Sequence, residues 1–226
     1  MAAPPGGSAV KLYSYFRSSA AYRVRIALHL KGLDFDYVPV HLMRAGGEQF
    51  AAEFRAVSPQ AQVPVLEDDG AALTQSLAII EYLDECYPAV PLLPREALQR
   101  ARVRALALTI ACDIHPLNNL RVTRYLANRL AIDEEGRTAW TRHWIALGLD
   151  GFEAALAAGG GARGRYCIGS TPTLADCCLI PQLFNARRVG LDTAVWPRAA
   201  AIDAACQEVD GFRRAHPELQ PDFERA

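Results

Sequence analysis

Apolar and polar residues alternate over 10–16 and again over 35–40, the period of a half-buried strand. Between them, residues 18–31 set Val24, Ala27 and Leu28 at helical spacing and stop at Gly32, so the chain opens as strand, helix, strand. The pattern then predicts a helix over 48–57, short strands over 63–66 and 71–74 around the Asp68-Asp69-Gly70 turn, and a helix over 76–86. A parallel βαβ unit followed by a helix, a hairpin and a covering helix makes a mixed sheet with helices on its faces.

The run Y-P-A-V-P-L-L-P at 87–94 carries three prolines, which suppress helix and mark a linker. Beyond it the period changes. A long helical pattern over 95–129, carried by Val103, Leu106 and Ile110, is interrupted at Pro116, where a kink is expected. Further helices are predicted over 134–158, 173–189 and 199–215, with Gly159-Gly160-Gly161 as a stop. The expected organisation is a tail over 1–9, an α/β domain over 10–87, a linker over 88–94 and an all-α domain over 95–226.

Composition narrows the chemistry. The 226 residues are 51% hydrophobic and 22% charged, enough to bury a sizeable core. With 24 basic and 25 acidic side chains the net charge is -1, so no global field recruits nucleic acid or an anionic membrane. Any anion must be met locally. Only Lys11 and Lys31 are lysines, so nearly all positive charge is arginine, whose planar fork suits carboxylates. Residues 1–9 lack a cationic region followed by an apolar core and read as a flexible tail rather than a secretory signal. The apolar stretch at 105–112 falls far short of a membrane span. Six cysteines without a C-x-x-C pair or Cys/His metal spacing predict buried thiols and no metal site.

Three junctions carry candidate chemistry. Arg17-Ser18-Ser19-Ala20-Ala21-Tyr22-Arg23 stands where the first strand meets the first helix. A serine there caps backbone N-H groups, and the same geometry gathers donors and positive potential where an anion such as a thiolate can sit. Val63-Pro64 precedes a strand: either an ordinary edge proline, or a cis bond that leaves the Val63 backbone to pair with an extended peptide. Gln75-Ser76 opens another helix, as a cap or as a carboxylate holder. In the helical half, Asp113-Ile114-His115-Pro116-Leu117-Asn118-Asn119-Leu120-Arg121 crowds polar groups onto a disturbed helix. Thr173-Leu174-Ala175-Asp176 is a capping box with a folding role, and Arg187-Arg188 is either a solvated pair or a carboxylate clamp.

Taken in order, these pieces resemble the glutathione transferase superfamily and specifically its zeta class, which includes maleylacetoacetate and maleylpyruvate isomerases. S-S-A-A-Y-R-V-R-I-A-L is similar to the zeta signature, and V-P-V-L with T-Q-S-L-A-I-I-E-Y-L is similar to the superfamily's glutathione site. The likeness continues through C-D-I-H-P-L-N-N-L-R-V, T-P-T-L-A-D and P-Q-L-F-N-A-R-R. It implies a thioredoxin-like N-terminal domain that binds glutathione and a helical domain that completes the substrate site, in a cytoplasmic homodimer.

By this resemblance Ser18 contacts the glutathione sulfur, Val63 its cysteinyl backbone, and Gln75 with Ser76 its γ-glutamyl end. His41 and Gln62 become glycyl-side contacts, although His41 is equally read as a solvated strand-end residue, and Asp113 reaches glutathione in a neighbouring subunit. Arg17, His115, Asn119, Arg121 and Arg188 become contacts to a small acidic diketone, with the three arginines stabilising the charge that develops on it. Zeta proteins commonly carry S-S-C at the first junction. Here Ala20 stands third, which leaves glutathione itself to carry the reactive sulfur. The implied reaction is cis-trans isomerisation in aromatic-compound catabolism. Conjugation of glutathione to electrophiles such as haloacids, and non-catalytic glutathione binding, are the alternatives.

Overall fold

The computed structural model describes residues 10–158 and 164–224; the tail expected at 1–9 and the Gly159-Gly160-Gly161 stop lie outside them. Its contacts divide the chain into two compact units, Met1–Leu92 with Val209–Ala226, and Leu93–Glu208.

The first unit holds β1 (Val10–Ser14), α1 (Ser19–Leu30), β2 (Phe35–Pro39), α2 (Ala52–Val57), β3 (Val65–Asp68), β4 (Ala71–Thr74) and α3 (Ser76–Cys86). The strands form one sheet in the order β2-β1-β3-β4, with β1 parallel to β2 and antiparallel to β3, and β3 antiparallel to β4. In β1, Val10, Leu12 and Ser14 are buried and the residues between them are not, the alternation read from the sequence. α1 and α3 pack against each other, and Leu12, Val24, Ile26, Leu28, Leu66, Ile79, Ile80 and Leu83 are fully or nearly fully buried. A short 3₁₀ turn over Arg44–Gly46 precedes the helix expected over 48–57, and a second, Glu48–Phe50, replaces its first part.

The second unit is helical: α4 (Ala97–Leu108), a π-helical turn over Thr109–Ile114, a 3₁₀ turn over His115–Asn118, then α5 (Leu120–Leu130), α6 (Glu134–Ala158), α7 (Leu174–Arg188) and α8 (Pro197–Gln207). α7 is buried from Leu174 to Leu183 and packs on α4, α6 and α8, so it is the central helix of this unit. Its capping box is built: the Asp176 carboxylate accepts from Thr173 N at 2.7 Å and from Cys167 N at 2.8 Å. Burial pushes the Asp176 pKa up while these hydrogen bonds pull it down, which suits a folding role and not proton transfer.

One helix differs from the pattern. The stretch 199–215 divides at Glu208, and α9 (Asp210–Arg214) belongs with the first unit, where it packs on α1. The reason is a close approach at Gly211. A side-chain carbon there would stand 2.9 Å from Leu30 Cδ2 and 3.0 Å from Leu30 N. The hydrophobic period over 199–215 cannot report such a contact between distant residues.

Candidate functional site

Strand register brings the first unit's candidates to one end of the sheet. Ser14, at the end of β1, is paired with Pro39 at the end of β2; Tyr13 is paired with Val65 at the start of β3; and Val65 is paired with Thr74 at the end of β4. The residues that follow or precede these ends are Arg17-Ser18, His41, Val63 and Gln75-Ser76. Four segments distant in sequence thus meet at one edge.

Ser18 is the N-cap of α1, with φ -70 and ψ 117, and its Oγ accepts from Ala21 N at 3.2 Å. An accepting oxygen leaves the hydroxyl proton free to be donated, at a helix end that already favours negative charge. Arg17, half-buried, precedes it. The turn is pinned from below by Arg25, which is fully buried. Its guanidinium donates to Ser14 Oγ at 3.1 Å, Tyr15 O at 3.3 Å, Phe16 O at 2.9 Å and Ala215 O at 3.2 Å. From above, Asp222 accepts from Phe16 N at 3.0 Å and from Tyr37 Oη at 2.6 Å.

His41 is buried, with both ring nitrogens engaged. Nδ1 accepts from Arg44 N at 2.7 Å and Met43 N at 3.2 Å, and Nε2 lies 3.2 Å from Glu224 Oε2. It is therefore not a solvated strand-end residue. Beside it Gln49 is 4% exposed, and its Oε1 has no hydrogen-bond partner among the described residues. A buried acceptor without a partner costs stability unless something else satisfies it. Gly47, at φ 121, makes room for this side chain, since a carbon added there would stand 2.6 Å from the Gln49 amide. Sequence reasoning missed Gln49; nothing in its local pattern separates it from a helix-surface glutamine.

The Val63-Pro64 bond is cis, and the Val63 backbone makes no hydrogen bond among the described residues. Ser58 holds the preceding residue from both sides, accepting from Gln62 N at 3.2 Å and donating to Gln62 O at 2.8 Å. Gln75 lies at φ 68 and ψ 110, a conformation an L-residue adopts only under strain, and it provides no side-chain cap for α3. Its Nε2 donates to Gln60 Oε1 at 3.1 Å. Ser76, buried, accepts from Arg23 Nη1 at 3.2 Å.

In the second unit, Asp113, His115 and Asn119 lie in the segment that joins α4 to α5 and Arg121 in the first turn of α5, while Arg188 stands at the end of α7. The break precedes the proline: the backbone widens to a π-turn over Thr109–Ile114 and tightens to 3₁₀ only at His115. Asn119 caps α5, its Oδ1 accepting from Arg121 N at 3.0 Å, which leaves its amide hydrogens as donors. Asn118 Oδ1 is buried without a partner among the described residues, a second orphan acceptor that the sequence did not reveal. The π-turn leans on α6 at Gly148, where an added carbon would stand 2.2 Å from Ile114 Cγ1. Gly148→Ala is expected to cost about 1–3 kcal/mol by overpacking and to shift the His115–Asn118 turn. The check is a lower urea midpoint of the unfolding transition. Of the twin arginines, Arg187 donates to Asp203 Oδ2 at 2.7 Å, and Arg188 to Asn185 Oδ1 at 3.2 Å.

The expectation of buried thiols holds for Cys167, Cys177, Cys178 and Cys206, whereas Cys86 and Cys112 are exposed. Burial pushes the Cys167 and Cys206 thiols up, away from the thiolate form that reacts.

A four-stranded mixed sheet with helices and a cis Val63-Pro64 bond, followed in the chain by an all-helical unit, is a thioredoxin-like domain joined to a helical one. Two family models match the chain: the glutathione S-transferase N-terminal domain over residues 12–91, and the C-terminal domain over 142–220. A probable maleylacetoacetate isomerase of Vibrio cholerae is 49% identical over 211 residues, 93% of this chain and 97% of that one. A bacterial zeta-class maleylpyruvate isomerase solved in its holo form is similar with a TM-score of 0.91 and 48% identity, over 95% of this chain and 100% of that one. A maleylacetoacetate isomerase of Methylobacterium extorquens, solved with malonate and glutathione bound, is similar with a TM-score of 0.90 and 41% identity, over 95% of this chain and 100% of that one. The chain belongs to the glutathione S-transferase family, in the zeta-class group of maleylacetoacetate and maleylpyruvate isomerases.

Proposed function

We propose that the protein is a glutathione-dependent cis-trans isomerase of maleylacetoacetate or maleylpyruvate, acting as a cytoplasmic homodimer in aromatic-compound catabolism. The observation that carries the reading is the sheet edge where Ser18, Val63 and Gln75-Ser76 meet, offering a donor hydroxyl, an unpaired backbone and a helix start to one extended peptide thiol. The likeness to a relative solved with both glutathione and a dicarboxylate supports the acidic second substrate.

Gln75 and Ser76 hold the γ-glutamyl end and Val63 pairs with the cysteinyl backbone. Gln62 and the orphan acceptor of Gln49 take the glycyl side. His41 joins them where Glu224 yields its place on Nε2, and Asp113 reaches the glutathione of a neighbouring subunit. When bound, glutathione supplies a thiol whose sulfur adds reversibly to the cis double bond and so frees rotation about it. An ordinary thiol, with a pKa of about 8.5, is only a few per cent ionised at neutrality. The Ser18 hydroxyl and the N-terminus of α1 favour the ionised form. Arg17, Arg121 and Arg188 grip the carboxylates and stabilise the charge that develops on the ketone, with His115 and Asn119 as neutral contacts.

Incubation with glutathione and either diketo acid tests the reading. Trans product without net loss of glutathione is expected. A stable thioether would replace isomerisation by conjugation, and tight binding with neither product would leave a binding protein. Arg188→Ala is expected to raise KM for the diacid about tenfold or more with glutathione affinity unchanged. Arg187→Ala, which removes the ion pair to Asp203 and leaves Asp203 its bond from Gln207, serves as its control. The reverse pattern would move the clamp to Arg187.

A further inference from the structure

α1 carries two buried arginines two positions apart, and Arg25 serves the β1-α1 turn. Arg23, 2% exposed, reaches another element: its Nη1 donates to Ser76 Oγ at 3.2 Å. Ser76 is 6% exposed and opens α3 directly after the strained Gln75.

A guanidinium has five donors and no acceptor, so the Ser76 oxygen must accept in this bond. Its own proton is therefore turned toward some other acceptor. The same contact brings a full positive charge to a helix start whose backbone contributes the equivalent of about half a charge. Both groups are buried, where water screens charge weakly. Burying a guanidinium is costly, and a serine needs no arginine merely to begin a helix. The arrangement suits an anion that accepts from Ser76 and lies within the field of Arg23.

We propose that Arg23 is the positioning residue of the γ-glutamyl subsite: through Ser76 it orients the hydroxyl proton and adds its charge toward the α-carboxylate at that end of glutathione. The proposal rests on the reading of Ser76 as a γ-glutamyl contact. Arg23 touches neither the sulfur nor the diketo acid, so its loss acts on glutathione binding and not on the turnover of the saturated enzyme.

The test measures the binding of glutathione and of cysteinylglycine, which lacks the γ-glutamyl residue, by calorimetry. Arg23→Met is expected to weaken glutathione about tenfold and to leave cysteinylglycine unchanged, with kcat at saturating glutathione near that of the parent. Arg23→Lys keeps the charge and the fold with fewer donors, and is expected to lose about threefold for glutathione alone. In a Ser76→Ala background the effect of Arg23→Met should shrink to within about twofold, because the two act through one contact. Equal weakening of both ligands by Arg23→Lys, or full additivity with Ser76→Ala, would overturn the assignment. A different failure is distinguishable: if Ser76→Ala alone weakens both ligands equally, the γ-glutamyl reading of Ser76 falls, and the role of Arg23 falls with it.

Discussion

Ser18→Ala is expected to lower turnover by about 10²–10³-fold, the usual cost of removing one donor aimed at a reacting anion. The serine also caps α1, so the same change costs about 1 kcal/mol of stability through the lost bond to Ala21 N. The two effects separate in Ser18→Gly, because glycine at an N-cap costs only a few tenths of a kcal/mol relative to serine yet offers no hydroxyl. That variant should unfold close to the parent midpoint and still be slow, while Ser18→Thr, which keeps both roles, should retain most activity. Steady-state kcat and urea midpoints measured on the three proteins decide it. Turnover within about twofold of the parent in Ser18→Gly, far short of the usual donor effect, would remove the hydroxyl from the mechanism and leave Ser18 as a cap alone.

Arg25→Met should be the most damaging single change for the fold of the first unit. Burial lowers the Arg25 pKa to about 10, so it remains a cation at neutrality and its four hydrogen bonds are charge-assisted. Methionine fills much of the volume but strands the carbonyls of Phe16 and Ala215 and leaves Tyr15 O with only its bond from Ser18 N, and the expected loss is about 3–5 kcal/mol. The readout is the urea midpoint of the unfolding transition, with Arg25→Lys, which retains charge but not the planar fork, falling between the two. A midpoint unchanged in Arg25→Met would mean that these carbonyls find water as readily as arginine. Because three of the four acceptors lie in the turn leading to Arg17 and Ser18, loss of turnover should accompany the loss of stability.

These buried arginines mark where reading the chain stops short. Positions two apart on a helix project about 200° from each other, so no single polar face of α1 accommodates both Arg23 and Arg25. That conflict is visible in R-V-R, but which acceptors resolve it is not. The Ser18 cap, the Val63-Pro64 turn and the start of α3 at Ser76 are legible because each depends on residues within three or four positions. The orphan acceptors of Gln49 and Asn118 are illegible because their signal is an acceptor left without a donor after the chain has packed. The π-turn ahead of Pro116 belongs to the same kind: Gly148 on α6 admits Ile114, and the backbone widens where no local rule demands it.

By itself the sequence determined the order of the strands and of most helices, the helix caps at Ser18 and Thr173, and the resemblance that points to glutathione and an acidic partner. All of these are properties of short windows or of their succession. The tertiary structure alone decided that β1, β2, β3 and β4 end in register so that Ser18, His41, Val63 and Ser76 share an edge. It alone decided that α9 folds back onto α1, and that Arg23 and Arg25 lie inside. The physical reason is that strand pairing, close approach at glycine and satisfaction of buried charge are contacts between distant residues, and hydrophobic period carries no record of which distant residue is met.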